Sequence, residues 1–523
     1  MMEFGRPVLA RGSSYGALCD EFRWIYPERL NLATQVCDFW AVKDPSRTAI
    51  IDLRNGRRDV SFGDLWALSR RVEVWLRAKG AVPGCRVGVL LSQSPLCAAA
   101  HIACWRMGAV SVPLFKLFRE DALASRLEDA GVRLAVTDEE GARMLALFDV
   151  STVIEEVLPD STQGEPAYDS APETPAVLIY TSGTTGKPKG ALHGHRILFG
   201  HLPGVEMSHS FLGQEGDVLW TPADWAWIGG LFDVLMPGLA LGVPVVAARI
   251  AKFSPEECLE IVRAAGVRNV FFPPTALRIL KASGVEISGL RSVACGGEPL
   301  GAEMLAWGQK ALGVTINEFY GQTECNMVVS SCCALDPPVA GAMGRAVPGF
   351  DVQVIDGAGA VTDGEGDIAV RRGAGSMMLE YWGRPEATAE KFRGDWMLTG
   401  DRGRREGDVL FFVGREDDVI SSGGYRIGPA EIEDCLMTHP GVATVGVVGK
   451  PDPVRHEIVK AYVVRKPEVP VSEVELQNWV KGRLAGYSYP REVAFLDALP
   501  MTVTGKVIRK ELKARAIAEV RNA

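Results

Sequence analysis

The chain has 523 residues, 47% of them apolar and 23% charged. That usage excludes intrinsic disorder and fibrous classes and, at about 150 residues per domain, supplies roughly three to four domains' worth of material. Its 56 Lys plus Arg against 65 Asp plus Glu leave a formal net charge of -9, which argues against a general grip on a phosphate backbone and so against nucleic acid as a partner.

The 11 Cys are scattered, odd in number and without a C-x-x-C pair, which predicts buried or free thiols in a reducing compartment and no disulfide frame or zinc site. The first residues carry Arg6 and Arg11 and no apolar stretch long enough for a secretory signal, so the expected location is cytoplasmic. Gly12 to Gly16 satisfies the G-x-S-x-G pattern around Ser14, but a serine-hydrolase elbow needs a buried strand before it and a helix after it. The few residues ahead of it offer no such strand.

From about 45 to 300, short β-branched runs alternate with helical patterns: a strand over 48–52, a helix over 62–80, a strand over 86–91, a helix over 96–108, a helix over 255–265 and a strand over 269–272. This is the signature of parallel βαβ layering. The longest uncharged run, between Arg86 and Arg106, is broken by SQSP at 92–95, so it reads as strand, turn and helix and no stable membrane insertion is expected. Residues 163–175 form a Gly-, Pro- and acid-rich connector. Between 340 and 416 the pattern changes to short strands (352–355, 367–371, 409–413) broken by glycines, predicting a β-rich antiparallel subdomain. The remainder carries a helix over 429–438, strands over 442–448 and 458–464, a helix over 472–484 and a basic terminal helix. The expected domains are therefore 1–416 and 417–523.

The most informative stretch is YTSGTTGKPKG at 180–190, directly after the apolar strand predicted over 176–179. Its glycines, hydroxyls and lysines make a cradle for phosphate oxygens, with amides and hydroxyls to wrap them and cations to balance the charge. It departs from the Walker A loop, since Lys187 is followed by Pro188 and position 181 is Thr. The alternative reading is a surface loop. The His193 and His195 pair lacks a third ligand at metal-site spacing and is expected at the start of the next helix.

With this loop in place, and with GGEPL at 296–300, FYGQTE at 319–324, TGD at 399–401, GREDDVI at 414–420, GGYRIGPAEIE at 423–433 and PMTVTGK at 500–506, the chain resembles the AMP-forming adenylate synthetases from end to end. RWIYP at 23–27, LNLA at 30–33 and YSYPR at 487–491 are most similar to the medium-chain acyl-CoA synthetase branch. The resemblance implies an α/β fold: a large N-terminal domain of layered βαβ units plus a β-rich subdomain, with a small mobile C-terminal α+β domain. It also implies conversion of ATP, a carboxylic acid and CoA to acyl-CoA through an acyl-adenylate, with Mg²⁺ as cofactor. The attacking carboxylate is already ionised at neutral pH, so the first step needs positioning and charge neutralisation and no general base.

The same resemblance assigns roles. Thr181, Ser182, Gly183, Thr184, Thr185, Gly186 and Lys187 would hold phosphates. Gly297, Glu298, Pro299, Glu318, Phe319, Tyr320, Gly321 and Gln322 would build the adenine and nucleotide wall. Thr323 would bond the α-phosphate, Glu324 would hold Mg²⁺, Asp401 the ribose hydroxyls, and Arg415 and Arg426 the nucleotide. Lys506 would bridge carboxylate and α-phosphate. Gly423, Gly424, Tyr425 and Lys481 would serve CoA, with Gly424 lining the thiol tunnel and Asp417 as the hinge. Glu431 and Glu433 read only as acids in the first turn of a helix after Pro429.

Acetyl-CoA synthetases close their acyl pocket with three side chains; the matching places here, Gly229, Gly296 and Gly321, have none. Trp225, Trp227 and Ile228 complete the expected wall, or belong to the core. A C4 to C10 acid, or an aromatic or branched short one, is expected in preference to acetate. Amino-acid-activating relatives keep an Asp at the place of Gly229, and Asp233 falls four residues late. A nucleotide-binding protein without chemistry is disfavoured by Glu324, Asp401, Arg415 and Lys506 together. The Lys506 segment also resembles one that a lysine acetyltransferase and deacetylase act on, where neutralising the amine would stop adenylation. The sequence does not specify an oligomeric state.

Overall fold

The computed structural model describes residues 4–118, 120–181, 188–250, 252–298, 300–415, 418–422, 425–453, 455–467, 469–484, 488–502 and 506–521. Among these the chain forms three sheets. In the seven-stranded sheet, Arg86–Leu90 runs parallel to Val110–Pro113 on one side and Leu134–Thr137 on the other, with helices Pro95–Arg106 and Glu120–Ala130 as crossovers. The predicted strand over 48–52 is Thr48–Asp52, and the helix over 62–80 is Phe62–Ala78. That helix starts where it does because Ser61 and Asp64 exchange hydrogen bonds in a capping box.

The uncharged run after Arg86 resolves as strand, turn and helix. Ser94 caps Pro95–Arg106, whose residues are all buried between the sheets, as expected of a helix apolar on every face. No described helix is long and apolar enough to cross a membrane. Helix Ile197–Ser208 is buried throughout as well. A helix is expected to start at His193 and His195, but the sequence does not give its extent, because Gly200, Pro203 and Gly204 interrupt it and no apolar stripe repeats.

The 14-stranded sheet has two characters. Thr48–Asp52, Val245–Ala247, Leu219–Trp220, Asn269–Phe272, Ser292–Gly296 and Ile316–Gln322 run parallel. From Cys325–Ser330 onward the neighbours are antiparallel, through Gly344–Ala346, Val409–Arg415, Trp396–Glu406 and Gly366–Arg371 to Val352–Ile355. The β-rich region expected over 340–416 is thus antiparallel, but it continues the main sheet instead of standing apart. Residues 420–495 supply a five-stranded sheet of their own, and its core draws only on the C-terminal part of the chain.

His193 and His195 differ from expectation. His193 lies in strand Lys189–Gly194, and His195 is buried two residues before the helix, its Nδ1 accepting from the Leu32 amide at 2.9 Å. Ser14 is a helix cap accepting from Ala17 N, and no strand precedes it among the described residues, so it is no nucleophile elbow. The antiparallel half of the sheet joins at Gly344, whose φ is +116° and whose hypothetical Cβ would lie 2.3 Å from the Ser330 carbonyl carbon. Gly344→Ala is therefore expected to destabilise the fold by about 2–4 kcal/mol. A thermal midpoint within a degree of wild type would contradict this.

Candidate active site

One strand divides the site. In Ile316–Gln322 successive side chains alternate sides, so Glu318 and Tyr320 face away from Phe319 and Gly321. Tyr320 OH donates to Asp401 Oδ2 at 2.6 Å, tying this strand to Trp396–Glu406. Asp401 is paired in register with Arg415, whose Nε is buried without a hydrogen-bond partner. Burial raises the Asp401 pKa, while Tyr320, Arg415, Lys391 and Lys506 oppose that rise. Lys391 Nζ donates to Gln322 Oε1 at 2.9 Å and to the Thr399 carbonyl at 3.3 Å. Burial lowers its pKa, against the pull of Glu324 and Asp401.

Glu324 is buried and accepts from Tyr381 OH. Tyr381 reaches it because Glu380–Tyr381 pairs with Lys189–Gly194, the second strand of the hairpin begun by Pro175–Thr181. The phosphate-type motif is thus flanked by two paired strands. Thr181 ends the first strand opposite Lys189, while Ser182, Gly183, Thr184, Thr185, Gly186 and Lys187 lie outside the described residues. Among the described residues no three His, Cys, Asp or Glu side chains cluster as a metal set, and Glu324 is a single carboxylate beside cations.

Gly297 follows strand Ser292–Gly296 with φ +103°, and a Cβ there would lie 3.7 Å from Lys506 Nζ. Lys506, in a turn where its amide donates to Thr502 Oγ1 at 3.0 Å, thus comes from the far end of the chain to the nucleotide-type motifs. Beside it, Glu298 accepts from Arg278 Nη1 at 3.0 Å. Glu433 does more than fill a helix turn: it accepts from the Val447 amide at 2.8 Å and from Arg509 Nη2.

The three glycines expected to open an acyl pocket do converge, but not onto open space. A Cβ on Gly296 would lie 2.6 Å from the Phe319 ring, and one on Gly321 would lie 2.4 Å from Asn326 Oδ1. Phe319 in turn packs 5.1 Å from Phe271 between centroids. At Gly229, which is half-buried, the nearest atoms would be Phe271 at 3.1 Å and Asp233 Oδ2 at 3.5 Å. The expectation that all three leave room is corrected for Gly296 and Gly321, whose places Phe319 and Asn326 take, while at Gly229 the neighbours stand farther off. Trp225 belongs to the core, whereas half-buried Trp227 packs 5.3 Å from Phe115 and Ile228 opens the next helix.

Pro299, Asp417, Gly423 and Gly424 lie outside the described residues, as do the side chains of Tyr425 and Arg426. Half-buried Thr323 follows Gln322 in the same wall. Lys481 is exposed and holds its Nζ 4.1 Å from the Tyr489 centroid within the small C-terminal part. Sequence reasoning missed Lys391, Tyr381, His201 and Asn326. The one available signal was Asp233, a lone acid in the apolar run 228–241.

The description AMP-binding enzyme matches residues 37–382, and AMP-binding enzyme C-terminal domain matches 431–506. "Acyl-coenzyme A synthetase ACSM4, mitochondrial" of Rattus norvegicus is 32% identical over 93% of this chain and 90% of that protein. "Acetyl-coenzyme A synthetase" of Bacillus subtilis is 31% identical over the same shares. The crystal structure of ATP-bound MatB from Rhodopseudomonas palustris superposes with a TM-score of 0.82 at 26% identity, covering 93% of this chain and 99% of that one.

Glu318 shows what burial at this site costs. Desolvation, then Asp434, push its pKa from an ordinary 4.5 up to about 8. Between those values the native chain keeps a proton that the unfolded chain has lost, so this group's contribution to stability falls as pH rises through the interval. Glu318→Gln removes that slope. Its thermal midpoint is expected to gain on wild type progressively from about pH 5 to about pH 8, and parallel melting curves across that range would contradict the assignment.

Proposed function

The chain belongs to the AMP-binding enzyme family and is an AMP-forming acyl-CoA synthetase, an acid-thiol ligase using ATP, a carboxylic acid and CoA; on that premise we propose that its acid is of medium size, C4 to C10, and is adenylated in the cleft bounded by Gly297, Tyr320, Asp401 and Lys506. The observation that carries the site assignment is the approach of Lys506 to Gly297 from a different part of the chain. An ammonium there neutralises charge as a carboxylate oxygen and the α-phosphate meet, a preorganised stabilisation that needs no proton transfer.

In this reading Asp401, held by Tyr320 and facing Arg415, accepts from the ribose hydroxyls. The buried, unpartnered Arg415 Nε supports a ligand at that place. Thr181 to Lys187 hold the outer phosphates, and Gly297, Glu298, Pro299, Glu318, Phe319, Gly321, Gln322 and Thr323 wall the nucleotide, with Arg426 beside it. Glu324 fits Mg²⁺: a hard cation is commonly held by one or two carboxylates, with phosphate oxygens and water completing the shell. The ion would spread phosphate charge, while Tyr381 fixes the carboxylate.

For the thioester step we propose rotation of 417–523 about Asp417, bringing Gly423, Gly424 and Tyr425 to the thiol path, with Lys481 toward CoA phosphates. Lys506, exposed, is the proposed target of a lysine acetyltransferase and deacetylase. Mass spectrometry finding it unmodified under all growth conditions would overturn that.

Gly229, without a side chain and reached by solvent beside Trp227 and Ile228, supports an acid longer than acetate. The aromatic wall of Phe271, Phe319 and Trp227 favours a second reading, a ring-bearing acid. Pyrophosphate release with ATP, Mg²⁺ and CoA is expected to show kcat/KM at least about tenfold higher for octanoate or benzoate than for acetate, each buried CH₂ adding about 0.8 kcal/mol. Equal values would overturn the size assignment.

Lys506→Ala is expected to cut adenylation by about a hundredfold or more while sparing thioester formation from supplied acyl-AMP. Gly424→Leu is expected to do the reverse, leaving acid-dependent pyrophosphate exchange and blocking CoA transfer. Equal loss of both half-reactions in either variant would contradict its role.

A further inference from the structure

Directly behind Gly229 a carboxylate, an amide and an imidazole share a dry corner. Asp233 lies in the π-helical turn Leu231–Leu235 and is 2% exposed. Asn326 Nδ2 donates to both its oxygens, at 2.9 and 2.8 Å, and His201 Nδ1 lies 3.0 Å from Oδ1. Among the described residues Oδ1 therefore has two partners and Oδ2 one, although a carboxylate oxygen accepts two. Oδ2 lies 3.5 Å from the place a Gly229 Cβ would take.

Holding Asn326 requires only an acceptor, which a neutral amide would supply without burying a charge. Among the described residues no Lys or Arg forms an ion pair with Asp233; its charge contact is His201. Burial raises the Asp233 pKa, opposed by its bonds to His201 and Asn326. The local backbone is unusual on both sides: π-turns concentrate at functional sites, and Met327, next to Asn326, has φ 56°. Half-buried Gly229 lies between Asp233 Oδ2 and the Phe271 ring, which stands 3.1 Å from the same Cβ place.

We propose that Asp233, oriented by Asn326 and His201, accepts a hydrogen bond from the acid itself, so that the preferred substrate is a carboxylic acid bearing a hydroxyl or amino group on the portion that passes Gly229. The inference rests on the ligase reading above and deepens it from size to chemistry. An acid without the donor leaves that desolvated carboxylate oxygen with one partner where it can accept two, and a polar site of this kind discriminates more sharply than an apolar one.

The test is pyrophosphate release by the full chain with saturating ATP, Mg²⁺ and CoA, using matched acids: benzoate against its hydroxy and amino derivatives at each ring position, and hexanoate against 6-hydroxyhexanoate and 6-aminohexanoate. For at least one pair, kcat/KM is expected to favour the donor-bearing acid by about tenfold or more. Asp233→Asn and Asp233→Leu are each expected to erase that ratio while leaving the KM for ATP within about twofold. A wild type that uses the parent acids as well as or better than every derivative overturns the proposal, and this holds even if neither variant folds. Variants that lower all acids equally and raise the KM for ATP also overturn it, since they mark Asp233 as a support for the Asn326 turn. Release with no acid of either kind overturns the ligase reading along with this one, whereas release with parent acids alone overturns only this one.

Discussion

The site depends on one strand whose two faces cannot be exchanged. Ile316–Gln322 is parallel to Ser292–Gly296 on one edge and antiparallel to Cys325–Ser330 on the other. It therefore stands where the sheet changes character. Its period of two sends Glu318 and Tyr320 toward the nucleotide motifs and Phe319 toward Phe271 and Gly296. A slip of one residue would put the Tyr320 hydroxyl into the apolar wall and Phe319 beside Asp401. The absence of a Cβ at Gly296 is part of the same constraint, because the Phe319 ring occupies that space.

Charge at the site is arranged by enclosure more than by pairing. Asp401 and Lys391 are pushed toward their neutral forms by burial and drawn back by each other's field. Among the described residues, Tyr320 holds Asp401 and Tyr381 holds Glu324 by one hydrogen bond each. Such groups are fixed before a ligand arrives, so their orientation need not be reorganised during phosphoryl transfer. In a low-dielectric wall each is worth more than the same group in water.

The C-terminal part meets this wall through polar contacts. Asp434 lies against Gly301 and close enough to Glu318 to raise its pKa, while burial and Glu433 raise Asp434 to about 6. Arg509 compensates Glu433 and lies 3.8 Å from Asp418.

Much was legible in the sequence, because several signals are local. The alternation of strands and helices up to 300, the helix over 62–80 and the reading of 86–106 as strand, turn and helix follow from periodicity and turn chemistry. The ordered motifs identified the family and brought Tyr320, Asp401 and Lys506 forward as a set. The extent of helix Ile197–Ser208 was hidden, because a segment buried on all sides has no apolar stripe. What only the tertiary structure decided was where missing side chains leave room. Sequence reports that residues 229, 296 and 321 lack a Cβ, but Phe319 and Asn326 reach two of those places from elsewhere in the chain. It likewise shows Asp233 as an isolated acid, while its partners His201 and Asn326 are 32 and 93 residues away. Local sequence fixes which groups exist; packing between distant segments fixes which space and which lone pair remain for a substrate.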